Sequence, residues 1–205
     1  MSFIICSYFT LGTLYQEISH KYLLPSLHRV GLKGDVCPVY NLGSWQANTS
    51  YKPTFIKQMM EKHKDKNIVF VDVDAEVLEY PKLFEEIPEK HCLACHILDK
   101  EKWYQKDFRG EREVLSGTLF IRNNAESKKL VDEWIKRCSN AVIWEQKVLQ
   151  QILQENNIEV FELPIDYCYI KTLPNGNEPF VKCEKPVIVH HQMSRKTKGK
   201  IRKDF

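Results

Sequence analysis

No stretch of this 205-residue chain approaches the roughly 18 apolar residues that a membrane-spanning helix requires. There is no internal repeat, no low-complexity segment and no linker that would split the chain. The N-terminus, Met1-Ser2-Phe3-Ile4-Ile5-Cys6, lacks the basic head and the small-residue cleavage site of a secretory leader, and reads as a first strand. After that strand, Ser7 to Thr13 offers only Gly12, so there is no glycine-rich phosphate loop. The seven cysteines are odd in number and scattered. Cys92-Leu93-Ala94-Cys95 has C-x-x-C spacing with His91 and His96 beside it. No second ligand pair stands at zinc-site spacing, and the apolar residues between the thiols suit an inner strand. Reduced cysteines in a cytoplasmic protein are the expectation.

What remains is an ordinary globular composition, 43% hydrophobic and 28% charged, which is enough for one domain with a substantial core. Residues 1–193 are expected to form it. The net charge of +3 is unevenly spread. From Ser194 to Lys203 come Arg195, Lys196, Lys198, Lys200, Arg202 and Lys203 without an acid. Residues 194–205 are therefore set apart as a basic tail, which suits a solvated end, a nucleic-acid contact or a phosphate clamp.

Apolar runs and helical periodicities alternate along the chain. Strands are expected at 3–8, 37–40, 67–74, 92–98, 114–121, 158–163, 167–171 and 186–190. Helices are expected from Leu14 to Val30, with Pro25 kinking or splitting it, from Pro53 to Lys64, over 82–86, after Asn124, and from Glu145 to Leu153. Trp45 falls in a loop and is read as packing, and the charged stretch 99–113 as a flexible loop over a site. The alternation predicts an α/β fold, with a mostly parallel central sheet flanked by helices.

The chemistry concentrates at Asn67-Ile68-Val69-Phe70-Val71-Asp72-Val73-Asp74. A run apolar on both faces suits a strand buried between helices. Two carboxylates at i and i+2 share a face if the strand geometry persists to its end, where ligands gather in open α/β sheets. Such a pair suits Mn²⁺ or Mg²⁺ carrying a phosphate. His190 and His191 end the last apolar strand, and imidazole suits Mn²⁺ or Zn²⁺ better than Mg²⁺. Ser194, Arg195 and Lys198 follow with the cations a diphosphate needs. Gly117, in Ser116-Gly117-Thr118, permits close approach to a ligand. Glu145, beside Gln146 at a helix start, is a further carboxylate for base or cation-stabilising work. Lys52 is within reach of a phosphate or an acid.

In this order these pieces resemble the nucleotide-diphospho-sugar transferases of the A-type glycosyltransferase (GT-A) fold. The resemblance runs from Phe9-Thr10 and Tyr15, through Gly43-Ser44-Trp45, Asn48 and Tyr51-Lys52-Pro53, to Asp72-Val73-Asp74. It continues with Ser116-Gly117-Thr118, Asn123-Asn124, Trp144-Glu145-Gln146, and His190 with Ser194-Arg195. It implies a metal-dependent hexosyltransferase moving sugar from a nucleotide-diphosphate donor, UDP-sugar first, to the hydroxyl of a glycan or other acceptor. Asp72 would contact donor ribose or sugar and share the metal. Asp74 and His190, with His191 as substitute, would be metal ligands for Mn²⁺ or Mg²⁺. Tyr8, Thr10 and Tyr15 would border the nucleotide, and Lys52, Ser194, Arg195 and Lys198 would lie near the donor. Ser116, Gly117 and Thr118 with the catalytic candidates Glu145 and Gln146 would line the sugar and acceptor side. The chain departs from the pattern at Glu145, where many members carry Asp before Gln. Inversion and retention both stay open.

Two alternatives stand beside this. One is a metal-dependent nucleotidyltransferase or phosphohydrolase, which would normally want the missing glycine-rich loop. The other is a nucleic-acid-binding module on the basic tail, or a merger of ideas in which the enzyme glycosylates modified DNA bases.

Overall fold

The computed structural model describes residues 2–173 and 176–193. Their elements are β1 (Phe3–Thr10), α1 (Leu14–Lys21), α2 (Leu23–Arg29), β2 (Gly34–Val39), α3 (Trp45–Ser50), α4 (Lys52–Lys62), β3 (Asn67–Val71) and β4 (Ala75–Val77). Then come β5 (Leu93–Asp99), α5 (Lys100–Tyr104), β6 (Arg112–Ile121), α6 (Ala125–Cys138), α7 (Glu145–Glu155), β7 (Phe161–Glu162), β8 (Tyr169–Ile170) and β9 (Ile188–His190). No helix among the described residues is long and apolar enough to cross a membrane.

Six strands form the central sheet in the order β2-β1-β3-β6-β5-β7. Pairings of β1 with β2 and β3, and of β5 with β7, are parallel, while β6 runs antiparallel to both its neighbours. The sheet is thus mostly parallel, with β6 alone reversed. Strand β3 shows why its sequence is apolar throughout. Ile68 and Phe70 pack into a core with α4, α6 and α7, whereas Val69 and Val71 face a second core with α2 and β4. A second, three-stranded sheet, β4-β9-β8, lies on this other side.

Several expectations shift. The helix expected over 14–30 is two helices meeting at Tyr22. Pro25 has no N–H to give Lys21 and its ring crowds that carbonyl, so the break falls one turn before it and Pro25 sits in the first turn of α2. The stretch 82–86 is a 3₁₀ turn, Lys82–Glu85. Within 99–113, Asp99 caps α5 by accepting from the Lys102 N–H at 3.2 Å, and the Glu101 carboxylate accepts from the N–H groups of Phe108 and Gly110. That segment is a hydrogen-bonded connection between β5 and β6 rather than a loose loop. Strand β4 has no sequence signal, because three residues after a turn are too few to show a period. It is nonetheless decisive, since its pairing with β9 sets Ala75 opposite His190.

Candidate active site

Strand β3 ends at Val71, one residue before the acids. The Asp72 N–H donates to the Gly117 carbonyl at 2.8 Å, and the Ala75 N–H closes a turn onto the Asp72 carbonyl at 2.9 Å. The two carboxylates converge because of that turn, not because of the alternation of an extended strand. One ligand atom each from Asp72, Asp74 and His190 lie within 4.8 Å of one another. His190 arrives from the far end of the chain through the β4–β9 pairing.

The imidazole of His190 is 1% exposed. Its Nε2 lies 2.8 Å from the Thr118 hydroxyl. Its Nδ1 has no hydrogen-bond partner and lies 4.0 Å from Asp74 Oδ1. Burial, then the charges of Lys52 and His191, bring its pKa down to about 3, so the ring is neutral. In the neutral tautomer whose Nε2–H donates to the Thr118 hydroxyl, the Nδ1 lone pair faces the carboxylates. An orphaned buried nitrogen aimed at two acids is the donor set a divalent cation fits, and Thr118 is the outer partner that orients it. Asp74 is 7% exposed, and burial followed by the Asp72 charge pushes its pKa up to about 6. The Met193 N–H donates to its Oδ2 at 2.8 Å.

Gly117 leaves the space this geometry needs. A Cβ there would stand 3.0 Å from His190 Cε1, and 3.2 Å from both His190 Nδ1 and Asp72 Oδ2. Gly117→Ala is therefore expected to displace the imidazole and weaken Mn²⁺ binding by about 10–100-fold, the range for disturbing a ligand's support. Calorimetric Mn²⁺ titration checks it, and unchanged affinity would remove Gly117 from the site.

A second group adjoins the first. Lys52, 4% exposed, holds its Nζ 3.0 Å from Asp72 Oδ1 and 3.0 Å from Glu145 Oε1. It also donates to the Ser116 carbonyl and hydroxyl at 3.1 and 3.0 Å. Burial opposes its charge, but Asp72 and Glu145 outweigh burial and hold the ammonium above its ordinary range. The Ser116 hydroxyl donates to Glu145 at 2.9 Å. Gln146 accepts from the Ser116 N–H at 3.0 Å and donates to Glu113 at 2.7 Å. Burial and the nearby Glu145 and Asp72 charges raise the Tyr8 hydroxyl, which donates to the Asn48 carbonyl at 2.7 Å.

These groups line one cleft of about 500 Å³, together with Thr10, Tyr15 and Gly117. Thr118 stands behind His190 rather than in the wall. Ser194, Arg195 and Lys198, like the rest of the basic tail, lie outside the described residues. His191, the substitute metal ligand, turns away. Its Nε2 lies 3.0 Å from Glu76 and its ring stacks on Tyr22 at 4.0 Å. Cys92 and Cys95 are free, buried, and raised in pKa by that burial, and they join no metal-ligand group among the described residues. Trp45, read as packing, is 40% exposed and lines the cleft, as do Trp144, Tyr104 and Glu113. The sequence signal missed was position. Trp144 adjoins Glu145, and Glu113 and Tyr104 lie in the segment already expected near a site.

A family model described as nucleotide-diphospho-sugar transferase matches residues 43–203. No curated protein matches. Among solved structures, the chain is similar to a glycosyltransferase involved in glycosylation of the major capsid of PBCV-1. The TM-score is 0.66 at 14% identity, covering 94% of this chain and 96% of that one. It is also similar to apo mouse xyloside xylosyltransferase 1, with TM-score 0.61 at 10% identity, covering 95% and 99%. For the apo glycosyltransferase GlyE of Streptococcus pneumoniae TIGR4 the TM-score is 0.55 at 15% identity, with 93% of this chain covering 54% of that one. At these identities the likeness is one of fold.

Proposed function

We infer that this chain, which belongs to the nucleotide-diphospho-sugar transferase family, moves a sugar from a UDP-sugar to an acceptor hydroxyl with the help of a divalent cation. That it is a glycosyltransferase of the nucleotide-sugar type follows from the family; donor base, metal and acceptor are our reading. One observation carries it: two carboxylates and an unpartnered, neutral His190 nitrogen converge in the wall of a cleft large enough for a nucleotide sugar.

Asp72, Asp74 and His190 would hold Mn²⁺, or Mg²⁺. When bound, such an ion neutralises charge on the diphosphate. Tyr8, Thr10 and Tyr15 line the β1 side of the cleft and would border the nucleotide. Ser116, Glu145 and Gln146 would orient the donor sugar, because their hydrogen bonds already fix their side chains. In the transfer, the acceptor oxygen bonds to the anomeric carbon while the bond from that carbon to the diphosphate oxygen breaks. The electron pair leaves on the nucleoside diphosphate, and the hydroxyl proton passes to a base. The nucleotidyltransferase and phosphohydrolase alternatives would use the same carboxylates, but the family match favours sugar transfer.

A screen of UDP-, GDP-, dTDP- and CMP-sugars, with and without Mn²⁺, tests the reading by nucleotide release. Release from a UDP-sugar that EDTA abolishes is expected; release from no donor, or release indifferent to EDTA, would overturn it. The pH dependence is a separate prediction. With Asp74 at about 6, protonation competes with metal below that value. Mn²⁺ affinity is expected to be level above pH 7 and to fall by up to about tenfold per pH unit below 6. Titrations from pH 5 to 8 check it, and a flat profile would contradict the assignment of Asp74.

A further inference from the structure

We propose that Trp144 and Trp45 form an acceptor platform at the rim of the cleft, built for an uncharged carbohydrate whose ring stacks on indole while Gln146 and Glu113 meet its hydroxyls. The proposal rests on the glycosyl-transfer reading and narrows its acceptor.

The chain has four tryptophans. Trp103 and Trp134 are 2% and 1% exposed, and Trp134 donates its indole N–H to the Glu145 carbonyl. Trp45 and Trp144 are 40% and 46% exposed, and both line the cleft. Neither exposure serves a helix end, since Ser44 caps α3 and the Trp144 side chain makes no capping bond to α7. Large apolar side chains left open beside a polar site mark binding surface. The two belong to one rim, because Gln46, next to Trp45, donates to the Ala141 carbonyl just ahead of Trp144. Trp144 also adjoins Glu145, whose carboxylate reaches Asp72 through Lys52. The platform therefore begins where the donor groups end.

A sugar ring offers apolar C–H faces to an aromatic and hydroxyls around its edge, which the amide of Gln146 and the carboxylate of Glu113 complement. The charge of the wall selects further. Asp72, Asp74, Glu113 and Glu145 line the cleft, and among the described residues Lys52 is the only lysine or arginine that does. It is already committed to two of those acids. A polyanionic acceptor needs free lysines or arginines to neutralise its phosphates, and among the described residues this wall presents none.

The test uses the full chain with Mn²⁺ and the UDP-sugar it hydrolyses. The acceptor probes are methyl glycosides of the common hexoses and of xylose, with an oligothymidylate for comparison. Trp144→Ala is expected to raise the KM for the accepted glycoside about tenfold or more. The ratio of sugar transferred to donor hydrolysed falls in step, and Trp144→Phe, which keeps an aromatic face, recovers most of the loss. Unchanged acceptor KM in Trp144→Ala would overturn the proposal. So would transfer to the oligonucleotide in preference to every glycoside, or an equal fall in transfer and hydrolysis, which would make Trp144 a donor-side residue. Failure of glycosyl transfer itself looks different: the wild-type chain then releases no nucleotide with or without an acceptor, and both readings fall.

Discussion

The Asp74→Asn variant is expected to lose about 10²–10³-fold or more of metal-dependent turnover, while its metal-free fold becomes more stable than the wild type at pH 7. Both effects come from one carboxylate. Asn keeps the volume and can still accept from the Met193 N–H, which now donates to Asp74 at 2.8 Å. It removes the charge that a cation would meet beside Asp72 and His190. In the metal-free protein that charge is a burden, because burial, with the Asp72 charge, raises the Asp74 pKa from 3.8 to about 6. A folded-state pKa above the unfolded one contributes stability that is complete below the unfolded value and is lost as pH rises through the folded one. At pH 7 the loss is complete and amounts to about 3 kcal/mol. In EDTA the variant is thus expected to melt roughly 5–10 °C above the wild type at pH 7, and the difference should shrink toward pH 4. Saturating Mn²⁺ should reverse the order, since it stabilises only the chain that binds it. Full nucleotide release by Asp74→Asn, or a melting point below wild type in EDTA, would remove Asp74 from the centre of the site.

Lys52→Met is expected to be the most destabilising change in the cleft, at about 3–5 kcal/mol by urea unfolding. The ammonium lies 3.0 Å from both Asp72 and Glu145, but the two partners differ. The Asp72 side chain is 38% exposed and can turn to water, whereas that of Glu145 is 7% exposed and would be left charged and unpaired. The penalty thus belongs mainly to Glu145, and adding Glu145→Gln should restore much of it. A double-mutant cycle should show coupling of about 2 kcal/mol or more. A cost under about 1 kcal/mol for Lys52→Met would mean that Lys52 is not what balances the buried acid.

The strand Asn67–Val71 was legible because a buried parallel strand must be apolar on both faces, and Ile68 with Phe70, and Val69 with Val71, do pack into opposite cores. Asp72, Asp74 and His190 were legible as residue types suited to a hard cation at strand ends. What could not be read was the turn that brings the carboxylates together, since an extended strand and a turn place i and i+2 side chains by different geometry. The choice of His190 over its neighbour was equally hidden. Adjacent residues on a strand point to opposite faces, and only the pairing with β4 decides which faces Asp74 and which faces Glu76. Trp45 was misread for a related reason: an isolated aromatic carries no periodicity to say whether its face is covered.

The sequence by itself determined the α/β class, the strand that anchors the site and the chemical types gathered at its end. Those depend on patterns among residues close along the chain, where backbone geometry relates them directly. Tertiary structure decided the candidate metal-ligand group, the ion group that ties Lys52 to Asp72 and Glu145, and the hydrogen bond between Thr118 and His190. Thr118 meets His190 because β6 pairs with β3 beside Asp72 while β9 pairs with β4 just beyond Asp74. Two registers, set by side-chain packing far apart in the chain, place these atoms within bonding reach, and no local pattern encodes a register.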